Sequence, residues 1–252
     1  MKLKISKNGK ILLNCLDNNI TEANLPNEIT IIGKEAFKDC ISLKSINLSE
    51  SVTKIGNDAF RGCISLQSVN IKKNVTEIIK GAFKGCKSLI NIRIPQKTTK
   101  IGKGVFTGCT LLQSIEVSPS NQFYTSINGV LLNKEQTTII KYPPMKNDNE
   151  YSIPNGITKI EYDAFQDCIS LESVHIPESI TRIPRFVFSG CTLLQYIHIK
   201  IIDIDKCYIN YNAFNGINKE NIVLYVPEER YLKYKNHPVF GQFKNIEIEK
   251  QE

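Results

Sequence analysis

Ile55-Gly56-Asn57-Asp58-Ala59-Phe60-Arg61-Gly62-Cys63-Ile64-Ser65-Leu66-Gln67-Ser68-Val69 decides the fold, because the chain keeps returning to it. Aligned on this stretch, six gap-free units of 23 residues start at Leu25, Leu48, Ile71, Ile94, Ile153 and Ile176. The thirteenth position is always Phe (Phe37, Phe60, Phe83, Phe106, Phe165, Phe188), and the sixteenth is always Cys (Cys40, Cys63, Cys86, Cys109, Cys168, Cys191). The sixth is Thr, the eighth Ile and the nineteenth Leu throughout, and the twenty-second is Ile or Val. Self-similarity at such a period is the signature of a solenoid, in which one coil cannot bury its apolar face and stacking supplies the core.

Each unit reads as one coil. Leu43 to Leu48 follows Leu-x-x-Ile-x-Leu, and its apolar alternation marks a short strand with one buried face. Equivalent strands one unit apart stack in parallel, about 4.8 Å from rung to rung. A second short strand is expected near Thr53-Lys54-Ile55. Residues 57–63 read as a short helix capped by Asn57 or Asp58, with Ala59 and Phe60 inward and Gly62 closing the turn before Cys63. The fold class is therefore α/β: stacked coils, a parallel sheet on the concave face, and short helices or turns opposite.

The Ile-Gly-x-x-Ala-Phe-x-x-Cys-x-x-Leu-x-x-Ile core, as in Ile55 through Val69, resembles the leucine-rich repeats of BspA-like proteins and the related treponemal repeats. The resemblance covers nearly the whole chain. It implies an inserted β-hairpin, a C-terminal cap that includes His237-Pro238-Val239-Phe240-Gly241, and display at a bacterial or protist surface for attachment to host proteins or other bacteria.

One solenoid domain, 1–252, is expected. Residues 1–24 form a hairpin-bearing cap, 25–116 four repeats, 117–152 a longer coil with a hairpin, 153–198 two repeats, and 199–252 a degenerate repeat and C-terminal cap. Asn128-Gly129 between apolar alternations marks the hairpin, and Asn8-Gly9 echoes it. After Ile199 the register fails, and Phe214 arrives three residues late. An amphipathic helix is expected near Glu228 to Lys235, then a strand near Asn245 to Ile248.

Composition excludes several classes. Apolar residues are 41%, charged residues 23% and the net charge +7, with Lys and Arg scattered instead of run together, so nucleic-acid binding is not expected. No apolar run is long enough to span a membrane. The opening Met1-Lys2-Leu3-Lys4-Ile5 is followed by an apolar stretch too short and polar for a secretion signal, so a surface or secreted location rests on the resemblance and a cytoplasmic one stays open. No Ser-His-Asp order, Gly-x-Ser-x-Gly or phosphate loop appears, so no enzyme and no cofactor are expected. Six of the eight Cys fill one repeated slot and read as buried free thiols, whereas Cys15 and Cys207 lie outside the register and read as the more reactive.

Function is expected on the exposed positions that flank the twenty-second residue. The candidate partner-binding residues are Asn47, Asn70, Arg93, Glu116, His175, Tyr196 and His198, on the concave sheet and facing a protein partner. His175 and His198 should stand side by side, about 5 Å apart. The only carboxylate in their column is Glu116, beyond the inserted coil, so no metal site is expected. Two other readings stay open: an intracellular scaffold, and a polyanion binder using Lys54, Lys100, Lys159 and Arg182, a column that Glu77 interrupts. Oligomeric state is not legible.

Overall fold

The computed structural model describes residues 2–17 and 19–250. It is a β-solenoid of coils of about 23 residues. Two compact units divide the chain, Met1–Lys134 and Glu135–Glu252. In each, two parallel ladders run along the stack: a spine of mostly two-residue strands through the eighth position, and a face of longer strands through the twenty-second.

In the first unit the spine runs through Ile31–Ile32, Lys54–Ile55, Glu77–Ile78 and Lys100–Ile101. It is capped by an antiparallel hairpin, Leu3–Ile5 with Ile11–Cys15. The face pairs Glu22–Asn24, Ser45–Asn47 and Ser68–Asn70, and then Asn91–Ile94 with Ser114–Val117. The hairpin Tyr124–Ile127 and Val130–Asn133 turns at Asn128 (φ 50°) and Gly129 (φ 81°). Positive φ at both central residues is what the tight right-twisted turn requires, and Asn-Gly supplies it.

In the second unit the spine runs through Thr138–Lys141, Lys159–Ile160, Arg182–Ile183 and Tyr208–Ile209. The face runs through Glu150–Ser152, Ser173–Ile176, Tyr196–Ile199, Val223–Val226 and Asn245–Ile248. The expected terminal helix is Tyr231–Asn236 after a short turn of 3-10 helix, Glu228–Arg230.

The invariant residues each have a physical task. The Phe rings are buried and stack face to face, with centroids 5.1 Å apart for Phe37–Phe60, 5.3 Å for Phe60–Phe83 and 6.1 Å for Phe83–Phe106. Tyr142 occupies the Phe slot one period before Phe165 and stacks on it at 5.2 Å. Phe214 still stacks on Phe188, at 5.8 Å, so the three extra residues are absorbed before it. Phe240 and Phe243 close that end of the stack at 5.6 and 5.3 Å from Phe214. The Cys slot is more than a small apolar space. Cys63 Sγ–H donates to the Phe37 carbonyl (3.0 Å), Cys86 to Phe60 (3.1 Å), Cys109 to Phe83 (3.1 Å) and Cys191 to Phe165 (3.0 Å). The Thr slot links rungs on the exposed side, as Thr53 Oγ1 donates to the Thr30 carbonyl and Thr76 Oγ1 to that of Thr53.

The short helix expected at 57–63 is not formed; the segment is a run of turns. The reason lies in the backbone. The eleventh and fifteenth positions of every unit are left-handed: Glu35 and Asp39, Asp58 and Gly62, Gly81 and Gly85, through to Phe186 and Gly190. Two left-handed residues four apart break any right-handed helix. Asp58 is one of these residues (φ 52°) and not a helix cap. Gly62 (φ 73°) is confined further, since a Cβ there would run into the Asp39 carboxylate.

Candidate functional site

Strand alternation puts the twenty-second residue in the core and its two neighbours on the outer side of the face ladder. Parallel register then lines those neighbours into columns. In the first unit one column holds Asn24, Asn47 and Asn70, with Arg93 beside Glu116 on the next paired strands. Asn47, Asn70, Arg93 and Glu116 are all exposed, as expected. Asn70 Nδ2 donates to Asn47 Oδ1 at 3.0 Å, so these amides form a ladder of their own. The inserted hairpin ends this face, because the Gly129 carbonyl accepts the Ile115 N–H at 3.0 Å. The hairpin is anchored by buried Asn121. Its Nδ2 donates to the Pro95 and Thr98 carbonyls (2.7 and 2.9 Å), and its Oδ1 accepts the Phe123 and Tyr124 N–H groups (both 2.8 Å).

In the second unit the columns are Glu150, Ser173, Tyr196 and Ser152, His175, His198, Tyr225. The structure brings His175 and His198 closer than the rung spacing, with ring centroids 4.0 Å apart and planes 4° from parallel. Tyr225 continues the stack at 4.7 Å from His198. Tyr196 is 39% exposed, but the two histidines are half-buried and Ser173 is buried, so this face is less open than the alternation alone implies.

Two carboxylates reach the histidines from outside their column. Glu150 Oε1 lies 2.9 Å from His175 Nε2, and Glu249 Oε1 lies 3.1 Å from His198 Nδ1. Extending the period back from Ser173 would have found Glu150. Glu249 follows the register slip and the terminal helix, so nothing in the repeat points to it. Burial and the facing His198 imidazole hold the His175 ring below the usual histidine range, against the opposing pull of Glu150 and Glu249. Burial and Glu247 push the Tyr225 hydroxyl up. Among the described residues, His175, His198 and Glu249 are the group of His, Cys, Asp or Glu side chains able to converge on a cation, each offering one atom within 4.8 Å of the others.

The remaining candidates resolve differently. All eight cysteines are free thiols and buried, Cys15 and Cys207 included. Burial pushes the Cys207 thiol up to about 11 and that of Cys40 up to about 12, the latter also beside Cys15. The expected reactivity of Cys207 therefore has no support, since the thiolate is the reactive form. The basic column is largely engaged: Lys54 pairs with Glu77 (2.8 Å), Lys159 with Glu161 (2.7 Å), and Arg182 lies 4.9 Å over the Tyr208 ring. Among the described residues no helix is long and apolar enough to cross a membrane.

Comparison with known proteins follows the same outline. Residues 14–128 and 144–248 match, in six copies, a family described as BspA type leucine rich repeat region. A leucine-rich repeat protein from Eubacterium ventriosum shares the fold with a TM-score of 0.59 and 24% identity, over 77% of this chain and 67% of that one. A leucine rich cell surface protein from Faecalibacterium prausnitzii gives 0.53 and 24%, over 92% and 80%. The pneumococcal vaccine antigen PcpA gives 0.55 and 18%, over 98% and 82%. No curated protein matches the chain by sequence.

Proposed function

Since the chain belongs to the BspA-type leucine-rich repeat family, whose members are generally protein-interaction or adhesion modules, we propose that it binds a protein through the exposed side of its face ladders and does not catalyse a reaction. The anchors on this reading are Asn47, Asn70, Arg93, Glu116, His175, Tyr196 and His198. The observation that supports it is the contrast within each rung. Core slots repeat the same residue from coil to coil, whereas the outward columns run from Asn to Arg and Glu in one unit and carry His, His and Tyr in the other. Packing fixes the first set and leaves the second free to be shaped by a partner. Tyr and Arg are the residues most often found at the energetic centre of protein interfaces. Strands held in register also lose little freedom on binding.

The named location of the Faecalibacterium protein guides the choice of partner towards proteins outside the cell. The test is retention of proteins from a surface extract on immobilised protein, wild type against Arg93→Glu and Tyr196→Ala, with Lys54→Ala on the spine as control. Loss of a retained protein with the face variants alone supports the reading. Loss with Lys54→Ala alone overturns it.

A further inference from the structure

We propose that His175, His198 and Glu249 form a binding site for a divalent transition-metal ion of the zinc class. Two imidazole nitrogens and one carboxylate oxygen, each from a different rung or its flank, already lie within 4.8 Å of one another. That donor set suits zinc and its neighbours. Calcium and magnesium select oxygen ligands instead.

Three further features point the same way. The first is an orphaned oxygen. Glu249 Oε2 is buried and has no hydrogen-bond partner among the described residues, while Oε1 faces His198. A buried carboxylate oxygen left bare is costly, and a cation beside it removes that cost. The second is preorganisation. The strands Ser173–Ile176 and Tyr196–Ile199 pair His175 with His198 directly, and Tyr225 packs on the outer ring, so both imidazoles already stand side by side before an ion arrives. With the ring centroids 4.0 Å apart and the planes parallel, a rotation of one or both rings turns a nitrogen lone pair of each towards one shared ion. The third is the surroundings. Glu150, 2.9 Å from His175 Nε2, is placed as the orienting carboxylate that commonly flanks a metal-bound imidazole. The next residue along the column is Ser152, short and exposed, so the His175 side stays open to solvent for a further ligand. The site holds whether or not a protein docks on the same face, and its test requires no partner.

The experiment is calorimetric titration of chelator-treated full-length protein with zinc chloride, with thermal unfolding followed in parallel. One zinc ion per chain and a raised unfolding midpoint are expected, with no response to magnesium or calcium chloride. His198→Ala and Glu249→Gln should each weaken binding by about tenfold or more, and Glu150→Gln by less. His237→Ala is the control, because that ring accepts the Val239 N–H at 3.1 Å and lies outside the cluster, so binding should be unchanged. Glu249→Gln changes a partly exposed side chain near the C-terminus and should leave the fold intact. Absence of stoichiometric zinc binding by the wild type overturns the proposal. So does binding that persists at full strength in both His198→Ala and Glu249→Gln.

Discussion

Replacing Asn121 by Leu probes how the inserted hairpin is held and where the face ladder of the first unit ends. The side chain is fully buried, so its amide reaches no water. Four hydrogen bonds depend on it, two donated to the Pro95 and Thr98 carbonyls and two accepted from the Phe123 and Tyr124 N–H groups. Leu has the same branched skeleton, with bulkier methyl groups in place of the oxygen and NH2, so no cavity is left and the lost polar contacts dominate, with some overpacking added. At about 1 kcal/mol net for each intramolecular hydrogen bond, the loss is about 4 kcal/mol. Backbone groups left without a partner add to this, while the apolar surface that Leu buries subtracts, so a cost of about 3–5 kcal/mol is expected. Urea unfolding followed by far-UV circular dichroism measures it. Asn121→Asp keeps an acceptor for Phe123 and Tyr124 but cannot donate, and should also destabilise strongly. A cost below about 1 kcal/mol for Asn121→Leu would falsify the assignment of Asn121 as the hairpin's anchor.

Phe60→Ala removes a buried ring stacked on both sides and should cost about 3–5 kcal/mol or more in the same assay; a cost under about 1 kcal/mol would mean the Phe stack does not carry the core. Thiol titration should find eight reactive groups after denaturation and slow labelling of all eight in the native protein, Cys15 and Cys207 included, and rapid native labelling of Cys207 would contradict its burial. The His175 ring is held below its usual range, so the unfolded chain takes up its proton first as pH falls. Stability from this source is therefore complete above about pH 6.5 and lost below it. The urea midpoint should drop between about pH 7 and 5, His175→Gln should reduce that drop, and an equal drop in the variant would assign it to other groups such as His237, whose ring burial also holds down.

What the sequence made legible follows from what repeats. Phe37 through Phe188 occupy identical slots, so period alone assigned them to the core, and the stack confirms it. The turns between the spine strand and Phe read as a helix because Asn57-Asp58-Ala59-Phe60 suits a helix N-terminus locally. The need for left-handed residues at two places per coil is imposed by stacking, and only the glycines in those columns hint at it. Tyr142 is not legible from the period, because it replaces Phe in a coil whose other slots have drifted. The candidate face was legible as columns, since strand period and repeat period together place Asn70 beside Asn47 and His198 beside His175. Its chemistry was not. Glu249 and Tyr225 reach the histidines only through the register shift and the terminal cap, where the repeat no longer constrains which residues meet.

The most direct test of binding through the face ladder is site-specific photo-crosslinking. A photoreactive residue is placed in turn at positions 93 and 196 on the face ladders and at 54 and 182 on the spine, and each protein is irradiated with a surface-protein extract. Face positions should give partner adducts and spine positions few or none. Adducts concentrated at 54 and 182, with none at 93 or 196, would contradict the binding face proposed here.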